Sequence, residues 1–363
     1  MDSIVNAALQ RGWLENQIHE EFDGLDRLRI VVLGTGGAGN NTINRLQHIG
    51  IEGAELIAAN TDKQDLKKIG GNVTRILIGA KLMRGLGAGG FPELGEKAAE
   101  SSRHELSDLL SGTHLLFLTA GMGGGTGTGS APVIAEIAKD EGAIVVAIVT
   151  FPFILERARL DKARIGIDKL RKVADSVIII DNNKLIEYVP NLPIDKAFLV
   201  ADEVVARAVK GITETIMEPS LINLDFADIK ATLSRGEVSL ISVGEGEGPD
   251  KVHRAATNTL KQPLLDVDYN EASGALIHIT GGENMTLGEA NEVGELITRE
   301  LRSDAIVTWG ARIDPKLDDK IEVIAIITGV KSPNILSAKT GVEHGALLYT
   351  QEYNNWCPGI KDV

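Results

Sequence analysis

Only one cysteine, Cys357, occurs in the 363 residues. A lone thiol excludes an internal disulfide and a cysteine metal site, and it fits a reducing cytosol. Cations are also scarce: 37 Lys and Arg stand against 51 Asp and Glu, for a formal net charge of −14. That deficit excludes a sequence-independent grip on nucleic acid or anionic lipid. The longest apolar run, Ala143–Thr150, is too short to span a bilayer and is soon followed by Pro152, and no signal peptide is visible. No G-x-x-x-x-G-K-[ST] occurs, which rules out a P-loop. What remains is ordinary for a globular protein, with 43% hydrophobic and 24% charged residues, and the length allows two domains with their own cores.

Glycine is the residue in excess, at 40 of 363 against a usual share of about 7%. The densest cluster lies in Ala120–Asp140, AGMGGGTGTGSAPVIAEIAKD, with five glycines within Gly123–Gly129. An apolar run before it, Leu115–Leu118, reads as a buried strand. Ser130 is a good N-cap, Pro132 suits a first helical turn, and Val133, Ile134 and Ile137 carry the helix on. Strand, bare loop and helix N-terminus make an anion site, because free amides and the positive dipole end converge on one point. Thr126 and Thr128 add hydroxyls for phosphate oxygens or a metal-bound water. A flexible turn needs one or two glycines rather than five, which favours phosphate binding. In so acidic a chain the bound charge requires local compensation by amides, a few Arg or Lys, and Mg²⁺.

The device recurs. Leu28–Leu33 reads as a strand and runs into GTGGAGNNTINRL, where Gly34, Gly36 and Gly39 fit G-x-G-x-x-G. A second strand, Glu55–Ala59, ends in Asn60-Thr61-Asp62, and a third glycine segment follows at Gly85–Gly90. On the fingerprint alone, a nicotinamide-dependent dehydrogenase is an alternative. Against it, Asp62 lies beyond the ~20 residues expected of a ribose-binding acid, and one glycine loop suffices for a pyrophosphate. Several loops at the carboxyl ends of neighbouring parallel strands, closing on one polyphosphate, explain all three segments.

Strands at Ala143–Thr150 and Ser176–Ile180, with a charged amphipathic helix between them, continue the alternation of an open, doubly wound parallel α/β domain. Pro193 opens a helical pattern from Ile194 to about Met217, with Ala197, Val200, Val204, Ala208 and Ile212 on one face. It is long enough to cross the domain and connect to the next. Strand patterns at Val238–Val243, Gly274–Thr280, Ala305–Ala311 and Ile321–Thr328, with helices at Lys251–Lys261 and Thr286–Leu301, describe a smaller α+β domain. His253 and His278 have no companions at ligand spacing, so both read as structural. The chain thus divides into an extension (1–26), a nucleotide domain (27–192), a central helix (193–218), an acidic loop and helix (219–237), the α+β domain (238–330) and a tail (331–363). Leu347, Leu348, Tyr349, Tyr353 and Trp356 suit that tail to docking on the body or on a partner protein.

Within the acidic loop, PSLINLDFADIK brings Asn223, Asp225 and Asp228 into six residues. Asp225 can be a helix N-cap and Asp228 a first-turn acid offsetting the dipole. Equally, the two carboxylates, three apart on one helical face, can hold or polarise a water. Residue chemistry leaves both readings open.

Taken in order, GTGGAGNN, NTDKQ, GLGAGG, AGMGGGTGTGSAPVIAEIAK, LINLDFADIK and ASGALIHITGG closely resemble FtsZ, the tubulin-like family of cell-division GTPases. The resemblance covers about Leu28–Val330, and PFxxERAR, DNNKL and PSLINLD are similar to the second class of archaeal paralogues. It implies a GTP-binding domain, a central helix and a smaller C-terminal domain, in molecules that stack head to tail at a mid-cell division ring in the cytoplasm. GTP/GDP and Mg²⁺ are the implied cofactors, and the tail is implied to reach a ring adaptor or a paralogue. By position, Gly36, Gly37 and Asn40 resemble the first nucleotide loop, and Asn60 the second, near the ribose or Mg²⁺. Gly87, Ala88 and Gly89 resemble the loop that senses the γ-phosphate, and Gly123, Gly124, Gly125, Thr126 and Gly127 the signature phosphate loop.

Glu156 and Arg159 resemble the ribose- and base-side contacts, and Asn182 and Asp202 fall where the family recognises guanine. A carboxylate accepts from both N1–H and the 2-amino group of guanine, a pair that adenine does not offer. Asn223, Asp225 and Asp228 match the loop whose acids polarise the attacking water in the neighbour's site. Departures are Arg157 in place of the usual Gly, a segment one residue shorter before Arg159, Ser220 where many members have Gly, and a tail without the bacterial membrane-tether motif. A nucleotide-capped polymer subunit with little catalysis is a further alternative, which the intact Asp225 and Asp228 disfavour.

Overall fold

A computed structural model describes residues 28–188, 190–217, 226–234, 238–261 and 269–330. The expected extension (1–26), the tail (331–363), Ser220, Asn223 and Asp225 lie outside the described residues. The first half runs β1 (Ile30–Thr35), α1 (Gly36–Ile49), β2 (Ala54–Asn60), α2 (Lys63–Lys67), β3 (Thr74–Leu77), α3 (Ala80–Met83), α4 (Pro92–Ser101), α5 (Arg103–Leu110) and β4 (Leu115–Gly121). It continues through α6 (Thr126–Asp140), β5 (Ile144–Phe151), α7 (Ala158–Arg171), β6 (Ser176–Asp181) and α8 (Asn182–Tyr188) to the long α9 (Ile194–Met217). The second half holds α10 (Phe226–Leu233), β7 (Ser239–Glu247), α11 (Lys251–Lys261), β8 (Gly274–Gly281), α12 (Leu287–Thr298), β9 (Ile306–Ile313) and β10 (Lys320–Thr328).

The strands form one sheet in the order β3-β2-β1-β4-β5-β6-β7-β10-β8-β9. From β3 to β6 every pairing is parallel, and helices cover both faces, which is why β1, β4, β5 and β6 are nearly continuous Val, Ile and Leu. The chain order reverses between β1 and β4, so the loops after those strands open a crevice at their carboxyl ends. Beyond β6 the sheet is mixed: β10 lies antiparallel to β7 and β8, and β8 is parallel to β9. The halves join through one residue pair, Ile178 with Ser239, beside a buried contact of 2.7 Å between Ser176 Oγ and Ser239 Oγ.

The central helix has the expected bounds but a slightly different buried face, made by Ala201, Val205, Ala208, Val209 and Ile212. Val200 and Val204, placed on the one apolar face, are half-buried beside Val243 in a groove between the halves. The helix packs against both halves of the sheet, so its apolar surface is wider than one stripe. A second correction concerns α6. It begins at Thr126 after Gly125 as N-cap, so Ser130 is not its cap and Pro132 lies inside it. Ser130 Oγ instead donates to the Thr126 carbonyl at 2.7 Å and meets Thr35 Oγ1, tying the helix to the end of β1. The glycine-rich segment is thereby wound into the first helical turn, where its orphan amides point forward.

Candidate functional site

A cavity of about 970 Å³ lies at the carboxyl ends of the parallel strands. Each loop read as nucleotide-binding reaches it: Gly36 and Gly37 follow β1, Asn60 ends β2, Gly87 stands in the third glycine loop, and Gly124, Gly125, Thr126 and Gly127 open α6. Glu156, Arg159, Asn182 and Asp202 also line it. Asn40, Ala88, Gly89 and Gly123 do not line it. Oriented to satisfy its neighbours, the buried Asn40 amide donates to the Gly34 and Ala59 carbonyls and accepts from Asn60 Nδ2, locking the first two loops together. Its neighbour Asn41 is the one on the cavity wall.

The glycines serve two purposes, and only one was visible in the sequence. A methyl group on Gly37 or Gly124 would meet nothing within 4 Å, so these backbones face open space. Gly125, Gly127 and Gly129 are small because other backbone presses on them: a Cβ there would fall 2.9 Å from Phe91 N, 2.8 Å from Gly121 O and 1.9 Å from Pro92 O. Gly123 has φ +97°, a left-handed conformation that disfavours any side chain. Its amide is spent on Thr128 Oγ1 at 2.8 Å, so the buried Thr128 hydroxyl braces the loop and does not face the ligand space, contrary to expectation. Thr126 Oγ1 is at the wall, 2.6 Å from Thr61 Oγ1. Asp62, weighed as a ribose acid, caps α2 through the amides of Gln64 and Asp65 and stands on the wall beside Gly87.

The rest of the cavity has a lining that is part apolar and part polar. Phe153 and Phe198 pack edge-on with centroids 5.6 Å apart, and both line it; their type and place carried no sequence signal. Such rings give a planar base a surface to stack on. Glu156 accepts from Phe153 N at 3.1 Å and pairs with Arg159, while Arg157, the departure from the resemblance, is exposed and off the wall. Asn182 is buried, yet its Oδ1 has no partner, although it lines the cavity. A buried orphan acceptor costs roughly 1–3 kcal/mol, a deficit that a bound donor removes. Asp202 Oδ1 accepts from Thr42 Oγ1 at 3.1 Å, and burial pushes this carboxyl up to about 6. Loop amides, two stacking rings and the acceptors of Asn182 and Asp202 thus line one cavity, a set suited to a nucleotide.

Comparison with known proteins agrees. The model of the Tubulin/FtsZ family, GTPase domain, matches residues 29–190, and that of the FtsZ family, C-terminal domain, matches residues 237–331. The chain belongs to the FtsZ family. It is 60% identical over 340 residues to cell division protein FtsZ 2 of Methanocaldococcus jannaschii, covering 93% of this chain and 88% of that protein. Against cell division protein FtsZ 2 of Haloferax volcanii the identity is 51% over 344 residues, covering 94% and 86%. An empty FtsZ dimer from M. jannaschii superposes with a TM-score of 0.80 at 43% identity, covering 94% of this chain and 98% of that one. The chain is therefore a tubulin-like GTPase, its ligand is guanine nucleotide, and the expected fold class holds.

The acidic segment lies elsewhere in the molecule. Asp228 is exposed on α10, whose Ile229 and Leu233 are buried. Phe226, two residues earlier, packs edge-on against His114 at 6.4 Å, and His114 directly precedes the first residue of β4. The cavity is at the other end of that strand, at Gly121. At about 3.3 Å per residue, the seven residues of β4 put roughly 20 Å between the two.

Proposed function

We propose that this chain polymerises head to tail and hydrolyses GTP in a site made by two subunits, at the division ring in the cytoplasm. The observation that carries the reading is the placement of Asp228 and the nucleotide cavity at opposite ends of the parallel strands. One molecule does not bring the two together; the acidic end of a neighbour does. A contact between unlike surfaces does not close on itself, so it propagates into a filament. The solved FtsZ dimer of M. jannaschii supports self-association. Among the described residues no helix is long and apolar enough to cross a membrane. Residues 331–363 are the segment that would bind a ring adaptor or a paralogue. The same reading keeps residues 27–192 as the GTP-binding part, 193–218 as the central helix, 219–237 as the acidic loop and 238–330 as the C-terminal part.

In the reaction, Asp225 and Asp228 of one subunit, aided by Asn223, hold and polarise a water that attacks the γ-phosphorus of the neighbour's GTP in line. The new P–O bond forms as the bond to the bridging oxygen breaks, and GDP leaves. Amides of Gly124–Gly127 and the α6 dipole stabilise charge on the phosphate oxygens, with Gly87, Ala88 and Gly89 forming the loop opposite. Asn182 and Asp202 read guanine, between the Phe153–Phe198 wall and the Glu156–Arg159 pair. Mg²⁺ fits the donor set, because Asn60 and the Thr126 hydroxyl are hard oxygen donors beside the phosphate loop. Those two residues would hold it, with Asp62 and Asp65 close by on the wall, and it would neutralise charge on the phosphates.

The test is GTP turnover across protein concentration. The rate per subunit should be near zero when dilute and rise above a threshold. A rate per subunit that does not vary with concentration contradicts the shared site.

A further inference from the structure

Asp202 presents a problem that its role does not solve. To accept from guanine N1–H and the 2-amino group it must be ionised and turned edge-on to the base, yet burial opposes ionisation and pushes this carboxyl up to about 6. Two groups act the other way. Thr42 Oγ1 donates to Asp202 Oδ1 at 3.1 Å, and the Arg45 guanidinium lies close enough to favour the charged form. Arg45 is committed elsewhere, since it pairs with Glu203, which Arg207 also holds. That leaves the Thr42 hydroxyl as the direct contact. Thr42 is itself buried, and its other hydrogen-bond partner, the Ala38 carbonyl, is a poorer one at 3.4 Å.

We propose that Thr42 is the positioning residue for base recognition: its hydroxyl holds the Asp202 carboxylate ionised and in the orientation that receives guanine. This inference rests on the guanine reading of Asp202. Thr42 reaches the base only through Asp202, donating its single proton to Oδ1 and leaving Oδ2 and the second lone pair of Oδ1 for the ligand. α1 thus does more than present its N-terminal amides to phosphate. One turn further on, it sets the charge of the base-reading acid on α9, so the two ends of the nucleotide are gripped by one helix.

The arrangement also makes nucleotide binding pH-dependent. Guanine takes the ionised carboxylate, so affinity is full above the free-state value near 6 and falls as pH drops through it. The charged group acting on Asp202 is Arg45 from α1, which is itself paired with Glu203, the next residue on α9. The Glu156–Arg159 pair, Asp62 and Asp65 are the other charges on the cavity wall.

The experiment is calorimetric titration of the full chain with GDP, which binds without turnover, from pH 5 to 8. Thr42→Val keeps the branched shape and removes only the hydroxyl. It should weaken GDP binding about tenfold at neutral pH and move the midpoint of the pH profile upward. Thr42→Ser should restore both affinity and midpoint. Weaker binding at every pH with an unmoved midpoint would mean that Thr42 only packs, and would overturn the proposal, as would failure of Thr42→Ser to rescue. Asp202→Asn tests the underlying reading separately. Asn pairs with xanthine, which has a 2-oxo group for its amide to donate to, so this variant should lose GDP and gain xanthosine diphosphate. If Asp202→Asn switches base and Thr42→Val behaves as wild type, the inference fails and the guanine reading stands. If Asp202→Asn leaves both affinities unchanged, the guanine reading itself is wrong. Should Thr42→Val fold poorly, Thr42→Ala gives the same profile, and an unmoved midpoint there decides against the proposal.

Discussion

Replacing Gly125 by Ala places a methyl carbon 2.9 Å from Ala88 Cβ and Phe91 N and 3.0 Å from Ala88 O. Ala88 is buried, and Phe91 N donates to its carbonyl at 2.9 Å in the turn before α4, so nothing there yields freely. Overpacking of this kind costs about 1–3 kcal/mol. For a body of this size each kcal/mol lowers Tm by about 2–4 °C, which gives a drop on the order of 5 °C. Gly124→Ala is the matched opposite. Its new methyl meets nothing within 4 Å and its backbone is in an ordinary conformation, so the loss of chain entropy in the unfolded state stabilises by about 0.4–1 kcal/mol. That methyl enters the cavity, however, where phosphate must approach the amides. Scanning calorimetry of nucleotide-free protein should show Tm falling for Gly125→Ala and holding or rising slightly for Gly124→Ala. GDP titration should show at least a tenfold loss for Gly124→Ala. Equal destabilisation by both, or full GDP affinity in Gly124→Ala, would refute the division of the loop into packing and ligand-facing glycines.

Two further outcomes follow from the same structure. Burial of His278 lowers its pKa to about 4, so the unfolded chain takes up a proton below pH 6.5 that the folded one refuses. Stability should fall as pH drops from 6.5 towards 4, by up to about 3 kcal/mol, and denaturant melts should show a smaller fall for His278→Gln; equal slopes would remove the claim. Asp225→Ala should keep GDP affinity nearly unchanged and cut GTP turnover by about 10²- to 10⁴-fold, so that light scattering shows filaments that persist. Disassembly at the wild-type rate would mean that the acid is only a helix cap.

Most of the parallel half was legible because its strands are apolar runs set between glycine loops, a pattern with one structural solution. The long helix was legible from its repeating apolar face, and the four later strands from their short apolar runs. β3 was missed, since four residues at a sheet edge with two exposed positions carry little periodic signal. The start of α6 was misplaced because Ser130 and Pro132 satisfy local rules that the packing of α4 against the glycines overrides. At the site, glycine spacing and the resemblance pointed to loops that reach the cavity but not to the division of labour within them. Asn40 and Asn41 are equivalent in sequence, and only their burial separates them. Phe153, Phe198 and Thr42 come from three separate segments, and only the fold brings them to one cavity wall or to the acid upon it. The raised Asp202 carboxyl is likewise a property of burial, which no residue string displays.

The central claim, that one active site belongs to two molecules, is tested most directly by mixing two inactive variants. Gly124→Val puts a branched side chain into the phosphate space of its own cavity and leaves its acidic end intact. Asp228→Ala keeps a sound cavity and brings a defective acidic end. Co-sedimentation first establishes that the two proteins enter the same filaments. Each alone should hydrolyse GTP at a small fraction of the wild-type rate. In equimolar mixture, interfaces that pair the acidic end of the first with the cavity of the second should restore activity, to about a quarter of wild type for random order along the filament. Co-assembly without any recovery would contradict the shared site.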